Sequence, residues 1–250
     1  MAHSNEDIGV PPFSLHLLGG TDLRGVPADV ADKLLAQSKV VALMAYLALA
    51  PAGRYQRRDR IVGLLWPDLD QSHARSALRK AVHVVRTALG DDVLIGRGDE
   101  ELSLSAELLS CDVRDLNERA DAGRLAHALE LYLGELMPGF HLAGCAEFGS
   151  WLDQERASIS RNAAAVAWAL AVRLEESKEL TNAGRMARRV VQFEWTDERV
   201  LRRAMQMLER LGDQAGAIRI YEDFARRIRA ELDARPAPET VALADGMRRR

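Results

Sequence analysis

Cysteine is almost absent from this 250-residue chain. The two present, Cys111 and Cys145, are too few and too isolated for a disulfide scaffold or a CxxC metal site, and both read as packing residues. No run of eighteen or more apolar residues occurs, which excludes an ordinary membrane-spanning helix. The opening Met1-Ala2-His3-Ser4-Asn5-Glu6-Asp7 is polar and acidic, without the basic flank and apolar stretch of a secretory signal, so the expected location is cytoplasmic, away from any membrane. An overall basic excess is also lacking. The formal charge is −3 and the isoelectric point near 6.1, whereas nucleic-acid binders more often carry a basic whole-domain balance. No Walker loop, GxGxxG, HExxH, GxSxG or His/Cys cluster is found, so nothing anchors catalysis, a cofactor or a metal. Asp153 and Glu155, two residues apart, diverge on a helix and make a poor acid–base pair; structural ion pairing with Arg156 is the simpler reading.

What is present is apolar content of 48%, enough to bury the core of one large or two modest domains. Charge is also segregated. From Arg54 to Gly90, eight basic side chains (Arg54, Arg57, Arg58, Arg60, Arg75, Arg79, Lys80, Arg86) face only Asp59, Asp68 and Asp70. From Asp91 to Ser110, Arg97 alone opposes Asp91, Asp92, Asp99, Glu100, Glu101 and Glu107. A near-neutral total thus hides a basic block beside an acidic one.

Phe13 to Leu18 alternates partly and ends at Gly19-Gly20, a short strand entering a turn. Lys39 to Ala50 reads as a buried helix closed by Pro51-Ala52-Gly53, and Arg58 to Trp66 as a short second helix, stopped because Pro67 pushes Trp66 out of the helical region. Asp70 or Ser72 caps a third helix ending near Leu89-Gly90. At 100° per residue, Ala74, Leu78, Ala81, Val82, Val85 and Leu89 form its core stripe, and Ser72, Arg75, Arg79, His83 and Arg86 an adjoining arc free of acidic residues. Val93-Leu94-Ile95 and Leu102-Ser103-Leu104 suit a hairpin with a glycine-containing loop. Strand, three helices and hairpin make a winged helix. Beyond Asp112 the pattern is helical: a pair, Asp112 to Ala122 and Arg124 to Glu135, broken at Gly123 and closed at Pro138-Gly139, a long helix from about Glu147 to Ser177, then Leu180 to Gln192, Asp197 to Leu211, Asp213 to Leu232 and Glu239 to Met247. Ala183, Ala187, Ala217, Tyr221 and Ala225 show the small–large alternation of tetratricopeptide pairs. Arg248-Arg249-Arg250 reads as a flexible tail or a cut end. Trp66, Trp151, Trp168 and Trp195 lie in apolar stripes and are expected in the core.

Three groups of residues resemble a known family, the Streptomyces antibiotic regulatory protein type of activator, an OmpR-like winged helix followed by a bacterial transcriptional activation domain. The first is Leu64-Leu65-Trp66-Pro67-Asp68 with Ala74-Arg75, Leu78-Arg79, Val85-Arg86 and Ala88-Leu89-Gly90. The second runs Glu130-Leu131-Tyr132-Leu133-Gly134-Glu135-Leu136-Met137-Pro138-Gly139-Phe140, and the third combines Trp151 to Arg156, Glu231-Leu232 and Pro236-Ala237-Pro238-Glu239-Thr240. The resemblance implies a protein that binds direct repeats near a promoter, as a homodimer on those repeats, and engages RNA polymerase. The chain departs from the family in its acidic wing and in Thr87, which follows Arg86 where a second basic residue is usual.

The expected fold is mostly α with a small β component: a winged helix-turn-helix DNA-binding domain over residues 1–110, then an all-α, tetratricopeptide-like domain over 111–250. The candidate DNA contacts are Arg75, Arg79, His83 and Arg86 on the third helix, able to reach guanine edges or phosphates. Ser72 at its amino terminus is either a phosphate ligand or a cap. Lys39, Arg57, Arg58 and the wing's Arg97 complete the set, over the flanking backbone. Two alternatives stay open: a protein-interaction or effector-sensing module whose winged helix has lost DNA affinity, and the front part of a longer regulator carrying an ATPase or sensor domain.

Overall fold

A computed structural model describes residues 11–249; the expectations concerning Met1 to Asp7 and Arg250 lie outside the described residues. The chain is mostly helical with a few short strands. It forms two compact units: the described residues up to Glu118 together with Leu131–Arg156, and Arg119–Glu130 together with Ala157–Arg250. The sequence division at 110/111 therefore falls inside the first unit.

In the first unit, β1 (Phe13–His16) pairs antiparallel with β2 (Asp22–Arg24), Leu15 opposite Leu23. Helix α1 (Ala28–Leu35) follows and was not anticipated. It buries Ala31 and Leu34; its cues are the helical spacing of Val30, Ala31, Leu34 and Leu35, Pro27 before it and an Asp29–Lys33 ion pair at 3.0 Å across one turn. Helix α2 (Ser38–Leu49) is buried nearly all round, consistent with its unbroken apolar sequence. After β3 (Gln56–Arg57) come α3 (Arg58–Leu65) and α4 (Gln71–Leu89). Helix α4 buries Ala74, Leu78, Ala81, Val82, Val85 and Leu89, the stripe read from the sequence. A short 3-10 turn leads into the hairpin β4 (Leu94–Arg97) and β5 (Glu101–Leu104), and β3 joins it on the other side of β5. Strand β6 (Leu109–Cys111), also unanticipated because three residues carry no period, runs parallel to β1 with Phe13 opposite Leu109.

The expected helix from Arg124 to Glu135 is shorter than its pattern. After α5 (Asp112–Asp121), α6 covers Leu125–Leu131 and stops. Here backbone pairing with the end of β1 prevails: Gly19 N–H donates to Glu135 at 2.9 Å, Met137 N–H donates to Leu17 at 2.7 Å, and Leu18 bridges Leu136. Gly19 and Gly134 meet backbone to backbone. A Cβ on Gly134 would lie 2.9 Å from Gly19 Cα, and one on Gly19 2.9 Å from the Leu133 carbonyl carbon, which accounts for the glycine in Tyr132-Leu133-Gly134-Glu135. The buried Asp112 carboxylate holds the same corner, accepting the N–H groups of Leu17 and Leu18 at 2.9 Å each.

Helix α7 (Ala146–Glu176) is the long helix expected. In the second unit it is followed by α8 (Leu180–Phe193), α9 (Glu198–Arg210), α10 (Gln214–Leu232) and α11 (Pro238–Arg248). Neighbouring helices pack α8 on α9 and α9 on α10, with Ala183, Ala187, Ala204 and Ala217 buried where they approach, a tetratricopeptide-like arrangement. Glu198 pins the start of α11, accepting Ala237 N–H at 2.9 Å, while buried Thr240 receives Arg202 at 2.8 Å. No helix among the described residues is long and apolar enough to cross a membrane.

The tryptophans correct one expectation. All four are half-buried rather than core. Lys39 lies over Trp66 at 5.8 Å, Arg203 over Trp168 at 4.2 Å and Arg227 over Trp195 at 3.9 Å, while Trp151 packs edge-on to Tyr46 at 5.1 Å. An apolar helical stripe does not distinguish a sealed ring from one whose outer face is covered by a cation.

Candidate nucleic-acid interface

Helix α4 contains no acidic residue, and outside its buried stripe Arg75, Arg79, Lys80 and His83 are exposed. An α-helix bearing an unopposed cationic arc fits the width of a DNA major groove and can offer guanidinium forks to base edges and phosphates. The structure separates the members of this arc sharply.

Arg79 is exposed and has no ion-pair partner among the described residues. Arg75 is exposed too, but its guanidinium meets the Asp59 carboxylate at 2.9 Å, which raises its pKa, with a smaller contribution from the Glu100 carboxylate. His83 is exposed one turn beyond Arg79. Arg86 differs. It is half-buried and donates to the Leu94 carbonyl at 2.7 Å, so it ties the last turn of α4 to the hairpin. The amino terminus of α4 is capped by Asp70, whose Oδ1 accepts the N–H groups of Ser72 and His73 at 3.0 and 3.1 Å. The Ser72 hydroxyl also turns to Asp70 Oδ1, at 3.0 Å. These bonds, first that from the His73 backbone and then those from the His73 ring and the Ser72 hydroxyl, hold the Asp70 carboxyl down to about 2. A carboxylate thus already stands where a phosphate would meet the helix end.

The flanking cations divide in the same way. Arg57 is exposed on β3. Arg58 is half-buried, and its backbone N–H donates to Glu100 at 2.8 Å. Lys39 is half-buried, with its ammonium on the Leu65 carbonyl and 3.0 Å from Cys145 Sγ; it closes the carboxy end of α3. Arg97 is exposed but pairs with Glu101 across the hairpin and lies 4.5 Å over the Tyr55 ring. The structure therefore brings Arg57, Arg75, Arg79 and His83 to the surface of the helix–hairpin unit, gives Lys39 and Arg86 intramolecular work, and half-buries Arg58. Sequence reading missed Lys80 as an exposed neighbour of Arg79. It also missed the local roles of Asp59 and Glu100, since nothing along the chain signals that residues 16 apart, Asp59 and Arg75, will meet.

The paired-carboxylate motif in α7 is structural. Arg156 binds Asp153 at 3.0 Å and donates to the carbonyls of Leu136 and Met137 at 3.0 and 2.7 Å, fixing the turn at Pro138-Gly139. Glu155 faces the other way, and burial raises its pKa. Among the described residues no group of His, Cys, Asp or Glu is placed to hold a metal.

Comparison with known proteins agrees with this architecture. No curated protein sequence matches the chain. A solved structure of Mycobacterium tuberculosis EmbR in complex with a low-affinity phosphopeptide superposes with a TM-score of 0.61 at 17% identity, over 96% of this chain. The match spans 66% of that longer chain, so the likeness is one of fold. The family described as the bacterial transcriptional activator domain matches residues 106–248, more than half of the chain, from just ahead of β6 through α11. On that match, the chain belongs to the bacterial transcriptional activator domain family, a family of transcription regulators.

Proposed function

We propose that this regulator binds promoter DNA in a sequence-specific manner through α4 and activates transcription by engaging RNA polymerase, as a Streptomyces antibiotic regulatory protein type of activator. The observation that carries the reading is the exposed face of α4: Arg79, Lys80 and His83 have no ion-pair partner among the described residues, on a helix without an acidic residue, backed by a fully apolar buried face. A helix so backed is rigid and can hold its side chains in register with base edges. In this reading Arg79 makes the principal base-edge contact, Arg75 and His83 flank it, and Arg57 meets the phosphate backbone. Residues 1–110 form the winged-helix DNA-binding part and 111–250 the activation part. Binding to direct repeats as a homodimer and a cytoplasmic location follow from the same reading.

A second reading, an interaction module with weakened DNA affinity, is favoured by one observation: the carboxylates of Asp59 and Glu100 act on Arg75. The two readings separate experimentally. Footprinting on DNA upstream of the neighbouring genes should locate a site, and titration of wild type and Arg79→Ala against that site and a scrambled duplex, alongside in vitro transcription, should show discrimination by wild type only. Equal binding of both proteins to both duplexes would reject the activator and favour the module.

A further inference from the structure

Helices α8 and α10 of the second unit enclose an open cavity of about 500 Å³ that the DNA reading does not use. Its walls are Val191, Trp195, Ile220 and Phe224, and its volume is that of a site for a few large side chains. Gly216 is buried in the lining, where a Cβ would run into the side chains of Asp213 and Arg188.

Around this apolar floor four arginines, Arg188, Arg219, Arg226 and Arg227, meet three carboxylates, Asp213, Asp223 and Glu231, so one guanidinium is left over. Arg188, Arg219 and Arg227 line the cavity against a single carboxylate, Asp223. Asp223 is itself paired with Arg226 at 2.9 Å. Two of the arginines are held in place: Arg188 by Asp213, and Arg227 by Glu231 at 2.7 Å with its guanidinium 3.9 Å over the Trp195 ring. Arg219 is exposed and has no ion-pair partner among the described residues. Helix α8, which forms one wall, contains no acidic residue. A guanidinium without a counter-charge favours a carboxylate beside it, and a partly desolvated apolar floor adds affinity that charge alone does not supply.

We propose that the α8–α10 groove is a docking site for an acidic protein segment, with an apolar side chain seated on Ile220, Phe224 and Trp195 and a flanking carboxylate on Arg219. Charge complementarity selects this occupant. Nucleic-acid backbone would satisfy Arg219 but brings no aliphatic group for the floor, and a neutral apolar peptide would leave Arg219 without a counter-charge. The inference does not rest on promoter binding, since α8 and α10 contain none of the proposed DNA contacts.

The test uses the full chain and a short blocked peptide in which a phenylalanine–leucine pair is flanked on both sides by aspartates. Two control peptides carry lysines for the aspartates, or alanines for the apolar pair. Binding is read by anisotropy and located by isoleucine-methyl NMR, with the Ile220 signal assigned through Ile220→Val. The acidic peptide should bind, shift Ile220 and leave the buried Ile61 unmoved. Both control peptides should bind at least about tenfold more weakly, and Arg219→Glu, an exposed position that leaves the core intact, should weaken the acidic peptide by a similar factor. Absence of binding, equal binding of the lysine peptide, indifference to Arg219→Glu, or a bound peptide that leaves Ile220 unshifted would each overturn the proposal.

Discussion

The guanidinium of Arg86 donates to the Leu94 carbonyl at 2.7 Å, joining the helix proposed to read DNA to the first residue of the hairpin beside it. Arg79, two turns earlier on the same helix, makes no comparable bond among the described residues. Two arginines that look alike on a helical wheel therefore predict opposite phenotypes. Arg86→Ala should lower stability by about 1–3 kcal/mol, because a half-buried charged donor is lost and a carbonyl is left unpaired. Arg79→Ala should leave stability within about 0.5 kcal/mol and cost about 1–3 kcal/mol on the specific site. Denaturant midpoints and DNA titrations on the same two variants check both halves. Stability loss in Arg79→Ala, or none in Arg86→Ala, would reverse the assignment.

That contrast marks where the sequence is legible. The core stripe of α4, the hairpin and the helices beyond Asp112 follow from periodicity and breakers, because burial of one face is a local pattern with a long-range cause. Which member of the adjoining arc is free is not local. Arg75 is occupied by Asp59 and Arg86 by Leu94, and neither partner can be inferred from spacing along the chain. The same limit explains α6, where helix-forming residues after Leu131 yield to backbone pairing with Leu17 and Gly19; β6 is too short to show a period, whereas α1 carries a legible one in Val30, Ala31, Leu34 and Leu35. The tryptophans fail for a different reason: stripe membership does not report what covers the outer face of a ring.

The cap of α4 gives a pH dependence of definite sign. Asp70 is held down to about 2 in the folded chain, below the ordinary 3.8, by its bonds to His73 and Ser72. A depressed folded value means that its contribution is fully present above the unfolded value and is lost as pH falls from about 4 through about 2. Asparagine caps a helix without titrating in this range. Thermal midpoints of wild type, Asp70→Asn and Asp70→Ala between pH 6 and 3 should show the wild-type advantage over alanine shrinking with acid, while the asparagine–alanine difference stays flat. Parallel curves for all three would show that the carboxylate bonds do not hold the helix end.

Arg156 supplies a test of the turn that the family motif encodes. Its Nε and one terminal nitrogen reach the Leu136 and Met137 carbonyls, and the other terminal nitrogen reaches Asp153. Lysine carries the same charge on a single head and cannot span these acceptors at once. Arg156→Lys should therefore destabilise by about 1–3 kcal/mol, with Met137 and Phe140 amides losing protection from hydrogen exchange ahead of the α4 amides. A neutral substitution would mean that the Pro138-Gly139 turn holds itself.

The hairpin can be tested by charge reversal, and the structure says at which residue. Glu101 is half-buried and paired with Arg97, so replacing it would disturb β5 as well as its charge. Glu100 is exposed, and its carboxylate acts on Arg75. Glu100→Lys should thus remove one repulsive charge from an approaching phosphate backbone and release Arg75 from one of its two acidic neighbours. Affinity should rise for specific and scrambled duplexes alike, and the log–log salt slope should steepen by about 1, the value for roughly one added phosphate contact. Asp59→Asn should release Arg75 without adding a charge near the hairpin, so its effect should fall on the specific duplex rather than on both. If Glu100→Lys leaves affinity and slope unchanged while Asp59→Asn does not, the hairpin points away from DNA and recognition rests on α4 alone. If neither variant alters binding, Arg75 plays no part, and Arg79 carries the arc.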